Sequence, residues 1–257
     1  ICDNSGSWMK PYSFIQAVAN KTEGHPLYMN YLCRFISKNF DESTKEEQLS
    51  EWVVSLPSIG GDIRSYYESI WQKMSLNGLI VETLAVLSQI RGSVSEQQLL
   101  AMMPTRNAID FKAAFNDFRH LVRVREVDAD LYEIYHSSFR MFISEKLSAL
   151  IQQTNDQIAS YCLNNNHSIY ALENILHHVV CGSNVAMGLA MCNQDWADQC
   201  AMNDISPDLV MHDIKECLSF AVDLALPVEV VRLMLLAQRI ETRCDSIMAD
   251  NAIDMAN

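Results

Sequence analysis

The sequence predicts a mainly α-helical protein with one small β-hairpin, and three observations lead there. Helix breakers are scarce, with 8 Gly and 6 Pro in 257 residues, so long helices are the default expectation. Apolar residues recur at i, i+3, i+4 and i+7 through much of the chain, the spacing of amphipathic helices. Strand-like alternation is confined to two neighbouring pieces, VRVREV and LYEIY.

Taken in order, the first firm helix starts at Pro26, where a proline costs no hydrogen bond, and LYMNYLCRFI sets Tyr28, Tyr31, Leu32, Phe35 and Ile36 on one face. The acidic stretch DESTKEEQLSEWVVS predicts a short exposed helix. LPSIGGD is a turn cluster ending in Asp62, a good N-cap. Behind it Ile63, Tyr66, Tyr67, Ile70, Trp71 and Met74 form a strongly amphipathic stripe. Residues 79–150 then read as helices over LIVETLAVLSQI, SVSEQQLLAMM (started by Ser95) and NAIDFKAAFNDFRHLV. The two strand pieces follow, joined by a turn at Asp128-Ala129-Asp130. Three helices and a β-hairpin are the winged-helix arrangement. After residue 150 no strand signal returns. SIYALENILHHVV aligns Ile169, Leu172, Ile175, Leu176 and Val179, and the stretches 185–203, 207–224 and 227–250 have similar lengths. The expected division is a helical segment over 1–76, a winged helix over 77–150 and a repeat-like helical array over 151–257, on a size that suits about two domains of ~100–150 residues.

Composition excludes several roles. A formal net charge of −13 opposes coating of DNA, RNA or an anionic membrane, each of which needs a concentrated cationic surface. The longest apolar run, VVRLMLLA, is interrupted by Arg232 and falls short of the ~20 residues that span a bilayer. The eight cysteines, Cys2, Cys33, Cys162, Cys181, Cys192, Cys200, Cys217 and Cys244, contain no CxxC pair and predict buried free thiols in a reducing cytoplasm. The chain opens on Ile without a basic-then-apolar leader, so the expectation is a piece of a longer cytoplasmic protein without a secretory signal.

A winged helix can place its third helix, here 107–121, in a DNA major groove. Arg106, Lys112, Arg119, Arg123 and Arg125 are the available cations, but Asp110 and Asp117 interrupt them, and Phe111, Phe115 and Phe118 claim an apolar face. Packing accounts for that face, and a protein-packing winged helix is expected instead. His177 and Cys181, at i and i+4, share a helix face that can present two metal ligands, yet no third or fourth ligand is evident, so no metal site is assigned. GxxxxGK[ST], GxSxG and HExxH motifs do not occur, so the chain shows no autonomous catalytic residues.

Four stretches carry a resemblance through their order: KTEGHPLYMNYL, LPSIGGDIRSYYESIW, YEIYHSSFRMF and SIYALENILHHVV. From about residue 13 to 200 this order resembles the C-terminal part of the nucleotide-binding module of STAND NTPases, the signalling ATPases that include NACHT and NB-ARC proteins. The resemblance implies that 1–76 is a helical lid begun by a Gly-x-Pro element, here Gly24-His25-Pro26, whose proline packs on the nucleotide base. It implies that His136, at the end of the winged helix, reaches the β-phosphate of bound ADP and holds the closed state. The nucleotide-binding residues implied are therefore Gly24, Pro26 and His136, with no catalytic residue in this chain.

On that resemblance the chain is the regulatory part of a signal-transduction ATPase, set in immune or anti-phage defence. ATP or ADP with Mg²⁺ belongs to the full-length protein, and no cofactor is expected from this fragment alone. Hydrolysis needs a P-loop and an acidic metal-site strand upstream. The expected partners are the protein's own upstream nucleotide-binding domain, further copies on activation, and a protein ligand at the C-terminal helices. The physical basis is simple: an imidazole at a strand end can donate to an anionic phosphate only while the winged helix is docked, and such a contact biases a two-state equilibrium by ~1–3 kcal/mol. The plainer role for His136 is to cap the helix that starts at Ser137, or to pack under the hairpin. The reading from another class is a helical adaptor whose winged helix binds protein and no nucleotide.

Overall fold

Gly24 shows how local chemistry sets the first turn. With φ at +71° it ends helix α1 (Tyr12–Thr22) in the left-handed region open to glycine, and Pro26 then occupies the first turn of α2 (Pro26–Asn39). In this computed structural model, residues 12–40, 46–56, 62–103, 108–126 and 130–256 are described. The turns expected at 57–61 and at Asp128-Ala129, together with Cys2 and Arg106, lie outside them.

The remaining elements are α3 (Glu46–Ser55), α4 (Ile63–Met74), α5 (Gly78–Gln89), β1 (Val94–Ser95), α6 (Glu96–Met102), α7 (Ala108–Phe118), β2 (Val122–Glu126), β3 (Asp130–Ile134) and α8 (Ser137–Lys146). They continue as α9 (Ile151–Asn164), α10 (Ile169–Cys181), α11 (Val185–Met191), α12 (Gln194–Met202), α13 (Pro207–Asp223) and α14 (Pro227–Ala256). The fold is mainly α with a small β-hairpin, as the sequence predicts. The antiparallel sheet runs β1-β3-β2, with Val94 opposite Tyr132 and Val124 opposite the same Tyr132 on the other side. The order helix, strand, two helices, hairpin is that of a winged helix. The sequence reading merges β1 into the start of α6, because two residues are too few to show alternation.

The chain divides into two compact units. One comprises Ile1–Ser88, Ser93–Glu96 and Asn107–Lys146, and the other Gln89–Gly92, Gln97–Arg106 and Leu147–Asn257.

In the first unit the predicted stripes of α2 and α4 meet as a cluster of tyrosines. Tyr28, Tyr31, Tyr66 and Tyr67 are all buried, with the Tyr28 and Tyr66 rings 4.4 Å apart and Tyr31 and Tyr66 stacked at 5.9 Å. Asp62 caps α4 by accepting from the Arg64 N–H at 2.8 Å. Phe111, Phe115 and Phe118 are buried, as expected for a packing face.

In the second unit the core gathers Leu176, Val180, Leu189, Trp196, Ile214 and Leu233. Helix α10 packs on α9, α11 and α13, and α13 packs in turn on α11, α12 and α14. Two details depart from the sequence reading. Ile169 is exposed, because it lies in the first turn of α10, ahead of the packed stretch. The stretch 185–203 is two helices, since Asn193 accepts from the Trp196 N–H at 3.0 Å and starts α12 anew. Arg232 of α14 donates to the Cys192 and Leu189 carbonyls at 2.6 and 2.7 Å and so satisfies the C-terminal end of α11. Among the described residues no helix is long and apolar enough to cross a membrane.

Candidate functional site

The predicted residues fall on two N-caps of the first unit. At the start of α2, Gly24 and Pro26 are exposed, and His25 between them is half-buried. His25 caps the helix, its Nδ1 accepting from the Tyr28 N–H at 3.4 Å. At the start of α8, His136 is exposed and does the same, its Nδ1 accepting from the Ser138 N–H at 3.1 Å. An Nδ1 that accepts from a backbone N–H bears no proton, so the neutral ring carries its proton on Nε2. The cap thereby fixes the tautomer and leaves Nε2–H as the outward donor. Capping and donation to an anion are two ends of one ring, and the plainer role holds without displacing the other.

Among the described residues no hydrogen bond joins His136 to the Gly24–Pro26 element; a relay of hydroxyls joins their helices instead. The Ser138 Oγ lies 2.8 Å from His136 Nδ1 and 2.8 Å from the Tyr67 hydroxyl, which lies 3.3 Å from that of Tyr31 on α2. Burial pushes the Tyr67 phenol above its ordinary value, against the pull of its bonds to Ser138 and Tyr31, so the relay is neutral at physiological pH.

Arg34, which the sequence reading does not single out, is the second polar group here. It lies two turns along α2 from Pro26 and places its guanidinium 4.2 Å from the ring centroid of Tyr135, the neighbour of His136. Its Nη1 is buried without a hydrogen-bond partner. Arg123 approaches the same ring at 5.4 Å while pairing with Glu133 at 3.3 Å. A lone arginine on a helix face carries no motif, and only the fold reveals that it meets Tyr135. The imidazole of His136 is thus an exposed group, and the Arg34 guanidinium packs on the ring of the residue before it in sequence with one nitrogen buried and unpartnered.

Elsewhere, an open cavity of ≈ 500 Å³ in the second unit is bordered by Met102, Met103, Asp156, Ser160, Tyr161 and Asn164 among others, and by none of Gly24, Pro26 and His136. Of the cations weighed for DNA, Lys112 pairs with Glu96 at 3.5 Å and the Arg119 Nε is buried. Cys33, Cys162, Cys181, Cys192, Cys200 and Cys217 are free thiols, all buried but Cys33 and Cys181, which are half-buried.

The second unit holds a denser polar cluster where α10 meets α13. His177 Nδ1 lies 2.6 Å from one Glu216 carboxylate oxygen, and the Cys181 thiol donates to the other at 3.4 Å. Arg91 donates to Asp213 at 2.5 Å and lies 3.5 Å from Glu216 and 3.1 Å from the His212 Nδ1. Burial raises the Asp213 carboxyl although Arg91 pulls it down. Burial also acts to raise Glu216, but its bonds to His177 and Cys181 and the nearby charges outweigh this and hold it below the usual carboxylate range. The Cys181 thiol is pushed up to about 12 by burial and then by Glu216. Beside this cluster His178 is fully buried, with its Nδ1 2.7 Å from the Asn155 side-chain oxygen and its Nε2 unpartnered. The sequence reading pairs His177 with Cys181 but misses Glu216, which reaches them from another helix, 35 residues beyond Cys181.

No family model matches this chain, and neither does a curated protein or a solved structure.

Proposed function

We propose that this chain is the helical lid, winged helix and following array of a cytoplasmic signal-transduction ATPase of the STAND class. In this reading lid and winged helix hold ADP, supplied with Mg²⁺ from an upstream P-loop domain, and so restrain oligomerisation in an immune or anti-phage response. The observation that carries the proposal is the exposed His136 imidazole, anchored through Nδ1 at the β3–α8 junction, next in sequence to Tyr135, on whose ring Arg34 of the Pro26 helix packs. Pro26 is exposed at the start of the same helix that carries Arg34, free to meet a planar base. A nucleotide whose phosphate meets His136 and whose base meets Pro26 binds only when the two elements are together, which makes nucleotide release and domain opening one event.

The test uses the full-length protein. His136→Ala should release ADP about tenfold faster or more and raise basal oligomerisation, since a charge-assisted hydrogen bond is worth ~1.5–3 kcal/mol. Pro26→Ala should weaken nucleotide binding more modestly in a direct titration. Identical ADP release by variant and parent overturns the role of His136 and favours the adaptor reading, in which the winged helix meets only protein.

A further inference from the structure

The cluster between α10 and α13 contains three different metal-ligating side chains whose donor atoms converge. The atoms of His177, Cys181 and Glu216 lie within 4.8 Å of one another. The thiol sulfur is 3.7 Å from His177 Nδ1 and 3.4 Å from the nearer Glu216 oxygen. Zn–S near 2.3 Å and Zn–N or Zn–O near 2.0–2.1 Å, at tetrahedral angles, give ligand separations of roughly 3.5–3.6 Å for the pairs that include sulfur. The two observed distances bracket that edge. His177 Nδ1 meets the other Glu216 oxygen at 2.6 Å through a shared proton, so this pair needs to open by about 0.7 Å, and the carboxylate to turn one oxygen or both toward the ion, for the site to be filled.

We propose that His177, Cys181 and Glu216 form a Zn²⁺-binding site, with water completing the coordination. Thiolate, imidazole and carboxylate on one ion select zinc over magnesium or calcium, which favour oxygen alone. Both anchoring helices are fixed independently of the ion. Ser168 caps α10 by accepting from the Ala171 N–H at 3.1 Å, and α13 begins on Pro207. The i, i+4 spacing on α10 supplies nitrogen and sulfur from one face.

The charges also balance. Zn²⁺ with one thiolate and one carboxylate is neutral, and Asp213 with Arg91 forms a neutral pair alongside. Arg91 then holds Asp213 and touches the rim of Glu216, an outer contact that orients the ligand. His177 and Glu216 side chains are 18% and 21% exposed, which leaves an entry path for the ion. On binding, the sulfur–zinc bond replaces the S–H bond and that proton goes to solvent. The proton shared between His177 Nδ1 and Glu216 must also leave that contact; starting from the neutral imidazole it reappears on Nε2 by exchange with solvent, so the net release is one proton per ion, that of the thiol.

The experiment titrates the full chain with Zn²⁺ against a chromogenic chelator and with Co²⁺ as a spectroscopic probe. One ion per chain is expected, with a thiolate-to-cobalt charge-transfer band and the strong visible absorption of four-coordinate Co²⁺. Cys181→Ser should abolish the band, and Cys181→Ser and Glu216→Gln should each weaken Zn²⁺ binding by at least about tenfold to a hundredfold. His177→Gln serves as a further ligand variant, should Cys181→Ser not fold. Cys33→Ser should leave band and affinity unchanged. Absence of stoichiometric binding at micromolar Zn²⁺ overturns the site, as does a band that survives in Cys181→Ser or is lost in Cys192→Ser alone.

Discussion

At the β3–α8 junction the imidazole of His136 stands exposed and is held by one neutral hydroxyl and one backbone N–H, both of Ser138, whereas His177 on α10 sits half-buried beside a carboxylate and a thiol, with the Arg91 guanidinium on the same carboxylate. Both rings are anchored through Nδ1, yet the two settings respond differently to loss of a member. Water can stand in for a missing hydroxyl near the surface. It cannot stand in for a missing charge that the protein has taken out of solvent, where the partner left behind bears the desolvation cost alone. The first unit therefore tolerates change around the Ser138 cap of His136, and the second does not tolerate change around its ionic cluster.

The largest expected effect breaks the ionic side. Asp213→Ala leaves the Arg91 guanidinium, 21% exposed, without its closest partner and should cost about 3 kcal/mol in urea unfolding. A loss below about 1 kcal/mol would mean that Glu216 and His212 take over the charge.

Next comes acid. Burial, and then repulsion from His177 and Arg91, hold the His178 imidazole well below its ordinary value. Its contribution is complete above the unfolded value of about 6.5 and falls by ~1.4 kcal/mol for each unit of pH below it, because the unfolded chain gains the proton first. His178→Asn should be less stable at pH 7 and show a flatter profile between about pH 6.5 and 5. Equal slopes would refute the assignment.

A packing change follows. A methyl group at the buried Gly188 would strike the Val180 side chain, so Gly188→Ala should cost about 2 kcal/mol by thermal unfolding.

The smallest effect tests the hydroxyl side. Tyr67→Phe removes the middle of the relay between Tyr31 and Ser138 and should cost about 1 kcal/mol in the same urea assay, with the secondary structure unchanged. A loss as large as that of Asp213→Ala would erase the distinction between the two clusters.

What the sequence makes legible follows from the range of each signal. The stripes on α2 and α4, the glycine-proline entry to α2 and the alternation of the hairpin are written within a dozen residues, and the structure reproduces them. The β1 strand is not legible, because two residues acquire strand character only by lying against Leu131 and Tyr132. Arg34 is equally silent, since its neighbour Tyr135 is about a hundred residues away in sequence. Half of the ionic cluster is visible as His177 and Cys181, but the half that completes it arrives from α13 and from Arg91, whose spacing to α10 obeys no local period. The break inside 185–203 has a local signal, because Asn193 followed by a polar turn is an N-cap pattern.

The arginine that reaches from α14 back to the end of α11 spans 40 to 43 positions of chain. In a solenoid of interchangeable modules each unit is finished by its immediate neighbour, so the row can be shortened from one end at a nearly constant cost. Here α14 completes α11, skipping two helices in between. Trimming the protein before Pro227 therefore undoes more than a terminal layer: it strips two carbonyls of their donors deep within the remaining stack, and the array stands or falls as a single piece.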